Sequence, residues 1–219
     1  MGRRWTLPPP RPLAGELKPL SSAETGRSVL QDGRLDLTIR HDLLKGVSPE
    51  MLYWWYGNIE GTMHYLGQEY PRYLVWHPLD HIQYRVVRRS PDGSVGVGAR
   101  VQIVEAFQRN LDYLVDVEME IEQRDTTGST VVKRLFGQAV MRLVNEFVPM
   151  TGGTQVYTRF VIGVGALPGK LGLNWMLRSK LFPPAKAQAW LKHNVEEVGN
   201  LEQFLPELYT TCSNSSIHG

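Results

Sequence analysis

An α+β fold, in which an antiparallel sheet curls around one long helix near the C-terminus, is what this 219-residue sequence predicts. Three observations carry that expectation. Between residues 34 and 163 several segments alternate apolar with polar side chains, the period of half-buried strands. Residues 184–205 carry an apolar stripe at helical spacing, with no glycine before Gly199 and no proline beyond the first turn. The strands come first and the long helix last, an order that suits one sheet layer packed by a helix better than alternating parallel units.

Taken in order, residues 1–28 hold five of the fourteen prolines and no apolar periodicity, so they read as an extended arm on the surface or on a neighbouring subunit of a homodimer. A single domain is expected over residues 29–208. Residues 34–40 alternate Leu35, Leu37 and Ile39 against polar partners and predict a strand. Ser48 and Pro49 supply an N-cap and first-turn pair for a helix over 50–56 that turns Met51, Leu52, Trp54 and Trp55 inward. Residues 73–89 read as a strand region interrupted at Pro78. Residues 99–108 place Val101, Ile103, Glu105 and Phe107 on one strand face, and 111–123 place Tyr113, Val115, Val117, Met119 and Ile121 on another. Residues 130–146 and 155–163 add further β-rich stretches across a turn at 149–154. Residues 209–219 read as a polar, flexible tail.

Composition narrows the function classes. Lysine plus arginine number 24 and aspartate plus glutamate 22, a net charge of +2 that gives no basic stripe for nucleic acid. No apolar run approaches the roughly 20 residues of a membrane helix. Cys212 is the only cysteine, so cysteine-held metal clusters and internal disulfides are excluded, and a cytoplasmic, reducing setting is expected. The glycine-rich segments lack the order of a nucleotide-binding loop, and no G-x-S-x-G elbow is present.

Three places offer chemistry. Glu105 sits on the apolar face of its strand, and a carboxylate there needs an ion-pair partner, an outward bulge, or a role as ligand or acid. His193 and Glu197, at i and i+4, share the helix stripe of Trp190, Leu201 and Phe204; the pair suits a surface salt bridge or a shared metal ion. His77, Asp80 and His81 flank Pro78 among Tyr70, Tyr73 and Trp76, so the two histidines need not share a face. Together these segments hold histidines and carboxylates of the kind that bind zinc, manganese or iron(II).

The run SPEMLYWWYGNIEGTMHYLGQEYPRYLVWHPLDH at residues 48–81, with the HxxxE of residues 193–197, resembles the 2,4-diacetylphloroglucinol hydrolase and phloretin-hydrolase-like family over about residues 35–205. The resemblance implies a helix-grip fold of the Bet v 1 or START-like kind. It also implies a zinc ion held by His81, Glu105, His193 and Glu197. Tyr73 matches a tyrosine that the family places near its substrate, whereas Tyr84 stands where the family has a polar asparagine.

The implied activity is zinc-dependent hydrolysis of the carbon–carbon bond between an acyl group and a phenolic ring of a small-molecule acylated phenol or polyketide. Tyr73, His77 and Tyr157 are the candidate proton donors, and Trp55 and Tyr84 the expected substrate contacts. Two other functions compete: a natural-product cyclase or isomerase using the same pocket, and a binding protein for aromatic ligands without turnover.

Overall fold

The computed structural model describes residues 5–165 and 170–215. The ends of the arm and tail, residues 1–4 and 216–219, and part of the glycine-rich run, 166–169, lie outside them.

A nine-stranded antiparallel sheet forms the body. Its strands are β1 (Glu24–Val29), β2 (Leu35–Arg40), β3 (Leu44–Lys45), β6 (His81–Arg88), β7 (Arg100–Ala106), β8 (Leu114–Asp125), β9 (Gly128–Leu135), β10 (Gln138–Met150) and β11 (Gly153–Ile162), while β4 (Thr62–Tyr65) and β5 (Gln68–Pro71) pair as a separate hairpin. Strands β6 to β11 follow one another as a meander, β2 and β1 extend it beyond β11, and β3 pairs with the start of β11. Register shifts in β6, β8 and β10 bend the sheet, because the extra residue of a bulge increases local twist.

The helices are α1 (Pro49–Asn58), α2 (Arg72–Trp76), α3 (Lys170–Lys180), α4 (Pro184–Asn200) and α5 (Leu205–Ser215). Ser48 caps α1, its side chain accepting from the Met51 amide, as the sequence predicts. Ala187, Trp190, Leu191 and Val195 of α4 pack against Leu35, Leu37 and Ile39 of β2 and Phe160 and Ile162 of β11. A second core joins Trp55 of α1, Trp76 of α2, Val198 of α4 and Phe204 and Leu205 beyond it. Each such side chain contributes about 1.5–3 kcal/mol on burial, so α4 is anchored along its length. Its C-terminal Asn200 donates through Nδ2 to the carbonyls of Val75 (2.9 Å) and Trp76 (3.0 Å), which tie it to the end of α2.

Several expectations need correction. Residues 72–76 are helical rather than extended: Pro71 opens α2, and His77, ahead of Pro78, is held at φ −128°, ψ 97°, which ends it. Residues 24–29, read as part of the arm, form the edge strand β1; both its faces are largely exposed, so no alternation marks it. Residues 130–146 span two strands joined at Phe136–Gly137, both at positive φ, as a two-residue hairpin turn requires. The tail is helical as far as Ser215, and α4 ends at Asn200 rather than 205. Helix α3 was not foreseen; Asn174 fixes it by exchanging hydrogen bonds with the Val164 backbone (2.8 and 3.0 Å) and donating to the Asp32 carbonyl.

Residues 5–23 lie against the body of their own chain. Trp5 Nε1 donates to Asp116, the Arg11 amide to the Pro78 carbonyl, and Lys18 pairs with Asp42 and Glu202. Among the described residues no helix is long and apolar enough to cross a membrane.

The packing of α4 on β2 and β11 is directly measurable. Trp190→Ala removes a side chain that is 5% exposed and whose ring lies tilted against Phe160, 5.0 Å between centroids, and is expected to cost about 3–5 kcal/mol in urea unfolding. Tyr157→Ala, on the opposite face of β11 and 37% exposed, is expected to cost about 1 kcal/mol or less.

Candidate metal centre

The register of β6 on β7 sets His81 directly opposite Glu105, and one turn of α4 sets His193 beside Glu197. The two pairs meet. His81 Nε2 lies 3.5 Å from Glu105 Oε1 and 3.3 Å from Glu197 Oε2, and His193 Nε2 lies 3.7 Å from Glu105 Oε2 and 3.7 Å from Glu197 Oε2. All four donor atoms fall within 4.8 Å of one another. The imidazole–carboxylate separations are close to the roughly 3.4 Å edge of a tetrahedron whose centre lies about 2.0–2.1 Å from each corner, the spacing of zinc bound by nitrogen and oxygen.

Both imidazoles are presented by the tautomer a cation needs. The His81 Nδ1–H donates to the Tyr73 carbonyl at 2.6 Å, and the His193 Nδ1–H to Asp80 Oδ2 at 3.0 Å. Each Nε2 is thereby left as a lone pair, buried and without a hydrogen-bond partner. Asp80 is itself fixed by the amides of Gln108 and Arg109, 3.0 Å each, which converge because both residues take positive φ (57° and 54°) where β7 ends. That local reversal removes Phe107 from the strand and turns it onto the ring of His193, 4.9 Å between centroids.

Electrostatics point the same way. Burial pushes Glu105 up to about 7 and Glu197 up to about 8, and pushes the His81 and His193 imidazoles down. Without a counter-charge the four groups are all driven neutral. A divalent cation balances both carboxylates in their ionised form, so the donor set fits such an ion.

Glu105 and Glu197 of the centre line a cavity of about 80 Å³ that opens to solvent and whose walls are otherwise mainly apolar and aromatic. Tyr73 donates to Glu105 Oε1 at 2.6 Å and stacks on the His81 ring at 3.8 Å. Burial and the Glu105 charge raise its hydroxyl well above the ordinary tyrosine value, so it remains protonated. Tyr84, named from the sequence as a substrate contact, lines the cavity.

Three expected residues lie elsewhere. Trp55 is fully buried in the core against Trp76 and Phe204; the helical phase of α1 brings its neighbour Tyr56 to the cavity instead. Tyr157 points outward, since β11 turns Val156, Thr158 and Phe160 in and Tyr157 and Arg159 out. His77 is not among the cavity-lining residues. The Pro78 turn sends it behind His193, ring centroids 4.4 Å apart, where its Nδ1 accepts from the Asp80 amide and its Nε2 faces Glu196. Sequence reasoning missed Tyr56, Asn145 and Asn194. Asn145 carried a usable signal: it interrupts the inward series Met141, Leu143 and Phe147, as Glu105 interrupts its own strand.

The solved structures that this fold is similar to include protein Ms6760 from Mycobacterium smegmatis (12% identity, 78% of this chain and 94% of that one, TM-score 0.45) and the Q3J4M4_RHOS4 protein from Rhodobacter sphaeroides (12%, 84% and 99%, 0.47). Ara h 8.0201 is similar at 11% identity over 79% of this chain and 97% of that one, TM-score 0.35. No curated protein matches the sequence. The family model described as the DAPG hydrolase PhiG domain matches residues 17–210, a span that includes the whole described sheet and all four donors, and the chain therefore belongs to the DAPG hydrolase family.

Proposed function

We propose that this chain is a zinc-dependent hydrolase that cleaves the carbon–carbon bond between an acyl group and a phenolic ring, with a helix-grip fold holding a small acylated phenol between the sheet and α4. The observation that carries this reading is the convergence of His81, Glu105, His193 and Glu197, with two partnerless imidazole nitrogens, at a point from which Glu105 and Glu197 reach an aromatic-lined cavity. Family membership supports the hydrolytic class.

The four donors are the residues that would hold the ion. A bound zinc supplies Lewis acidity toward the acyl carbonyl and lowers the pKa of water. The chain supplies the rest. Asp80 and the Tyr73 carbonyl keep both imidazoles in one tautomer and orientation. Aromatic faces of Tyr56, Trp76 and Tyr84 suit a flat ring and exclude water around it. In the overall reaction water gives its oxygen to the acyl carbon, the bond to the ring breaks, and the ring carbon gains a proton, leaving a carboxylic acid and a deacylated phenol. Tyr73 is the donor for that proton, because its hydroxyl is protonated, lies beside the centre and lines the cavity. His77 and Tyr157 have no such access.

The purified protein is expected to contain about one zinc per chain by plasma mass spectrometry and to lose it in His193→Ala and Glu197→Ala; a well-folded wild type without stoichiometric metal would overturn the proposal. Zinc competes with protons on Glu105 and Glu197, whose values lie at about 7 and 8, while the histidines are already neutral. Apparent affinity should therefore climb between pH 6 and 8, by about ten- to a hundredfold per unit at the acid end, and level off above, with proton release visible by calorimetry in buffers of different ionisation enthalpy. Tyr73→Phe is expected to keep its zinc and lose about 10²–10⁴ in kcat toward an acylated polyhydroxybenzene, followed by chromatography of the acid and the deacylated ring. Unchanged turnover would remove Tyr73 as the donor.

A further inference from the structure

Two amide side chains on the cavity wall are held in opposite senses. Asn194, 3% exposed, lines the cavity one residue after His193. Its Nδ2 donates to Glu197 Oε1 at 2.5 Å. When Glu197 is ionised as a ligand only an N–H can face it, so the carbonyl oxygen is directed elsewhere, and Asn194 Oδ1 is buried with no hydrogen-bond partner. A fixed acceptor thus stands beside the four-donor centre.

Asn145, 6% exposed on β10, is locked the other way. Thr158 Oγ1 donates to its Oδ1 at 2.7 Å and, having spent its own hydrogen, accepts from His41 Nε2 at 2.9 Å. The carbonyl is therefore committed within the sheet. The NH₂ group meets Tyr56 Oη and Ser129, both at 3.4 Å, well beyond the ordinary 2.9–3.0 Å, so its hydrogens are under-used. All four of these polar groups, Asn194, Asn145, Tyr56 and Ser129, line one cavity, together with Glu105, Glu197 and Arg124 and a majority of apolar and aromatic residues.

We propose that this pair sets ligand specificity: Asn194 accepts the hydroxyl ortho to the acyl group, and Asn145 donates to a ring oxygen further from the centre. This rests on the acyl-phenol reading above and deepens it. In a free ortho-hydroxyaryl ketone the hydroxyl bonds to its own carbonyl oxygen; once that oxygen is engaged at the centre the hydrogen is released, and Asn194 Oδ1 is the unmatched acceptor nearby. A ring without that hydroxyl leaves a buried carbonyl unpaired.

The test is binding of three probes to the zinc-loaded protein by quenching of tryptophan fluorescence, Trp76 being part of the cavity wall. They are the methyl ketones of 2,4-dihydroxy-, 2-hydroxy- and 4-hydroxybenzene. The wild type is expected to bind the 2,4-dihydroxy ketone about tenfold more tightly than the 4-hydroxy ketone. Asn194→Leu should bring that ratio to about one, whereas Asn145→Leu should preserve it and abolish the preference for 2,4-dihydroxy over 2-hydroxy. Equal wild-type affinity for all three overturns the proposal even if neither variant folds, and so does an unchanged ratio in a zinc-containing Asn194→Leu. Ortho-selective binding without cleavage would refute the hydrolase reading and leave this one standing; equal binding and cleavage of all three ketones would do the reverse.

Discussion

Four ionisable side chains share one buried point, and burial there opposes the charged form of every one of them. Ionising the carboxylates places two like charges in a poorly solvated site, and charging the imidazoles is opposed by the same burial. Much of the nearby structure manages that conflict. The Pro78 turn separates His77 from His81, the reversal at Gln108 and Arg109 gathers two amides onto Asp80, and Asp80 in turn aims His193. The positive φ of Gln108 and Arg109 is a costly local conformation, and each of these features serves a donor.

The global fold contributes fixed distances. Antiparallel register places one histidine opposite one glutamate, and helical periodicity places the other two donors a turn apart, so the centre depends on a strand pair and a helix rather than on loops. The bent sheet leaves room beside it, filled on one side by aromatic residues from α1 and α2. Site and cavity are consequences of one arrangement.

How much of this was legible depended on the local period of the chain. In β7, β8 and α4 the alternation or the helical stripe identified both the element and the inward-facing Glu105, His193 and Glu197, although Val104 and Ala106 on the other face of β7 are buried as well. The edge strand β1 is largely exposed on both faces, so its pattern carries no signal. Short α2 looked extended because a proline stands at each of its ends. Trp55 was read as inward-facing and is so, but inward there means the core and not the cavity, and Tyr157 was named from a β-rich stretch to which no inward face had been assigned. The choice between His77 and His81 depended on how the chain turns at Pro78, which no periodicity encodes. Asn145 and Asn194 were visible as polar residues in apolar company but were not read as such.

The tie between Asn200 and the carbonyls of Val75 and Trp76 bears on which ions the centre can accept. It joins the helix that carries His193 and Glu197 to the one that carries Tyr73 and leads, through the Pro78 turn, to His81, so three of the four donors lie on segments cross-linked by one side chain. Calcium, which needs six to eight oxygens at about 2.3–2.6 Å, would find here four donor residues, two of them offering nitrogen.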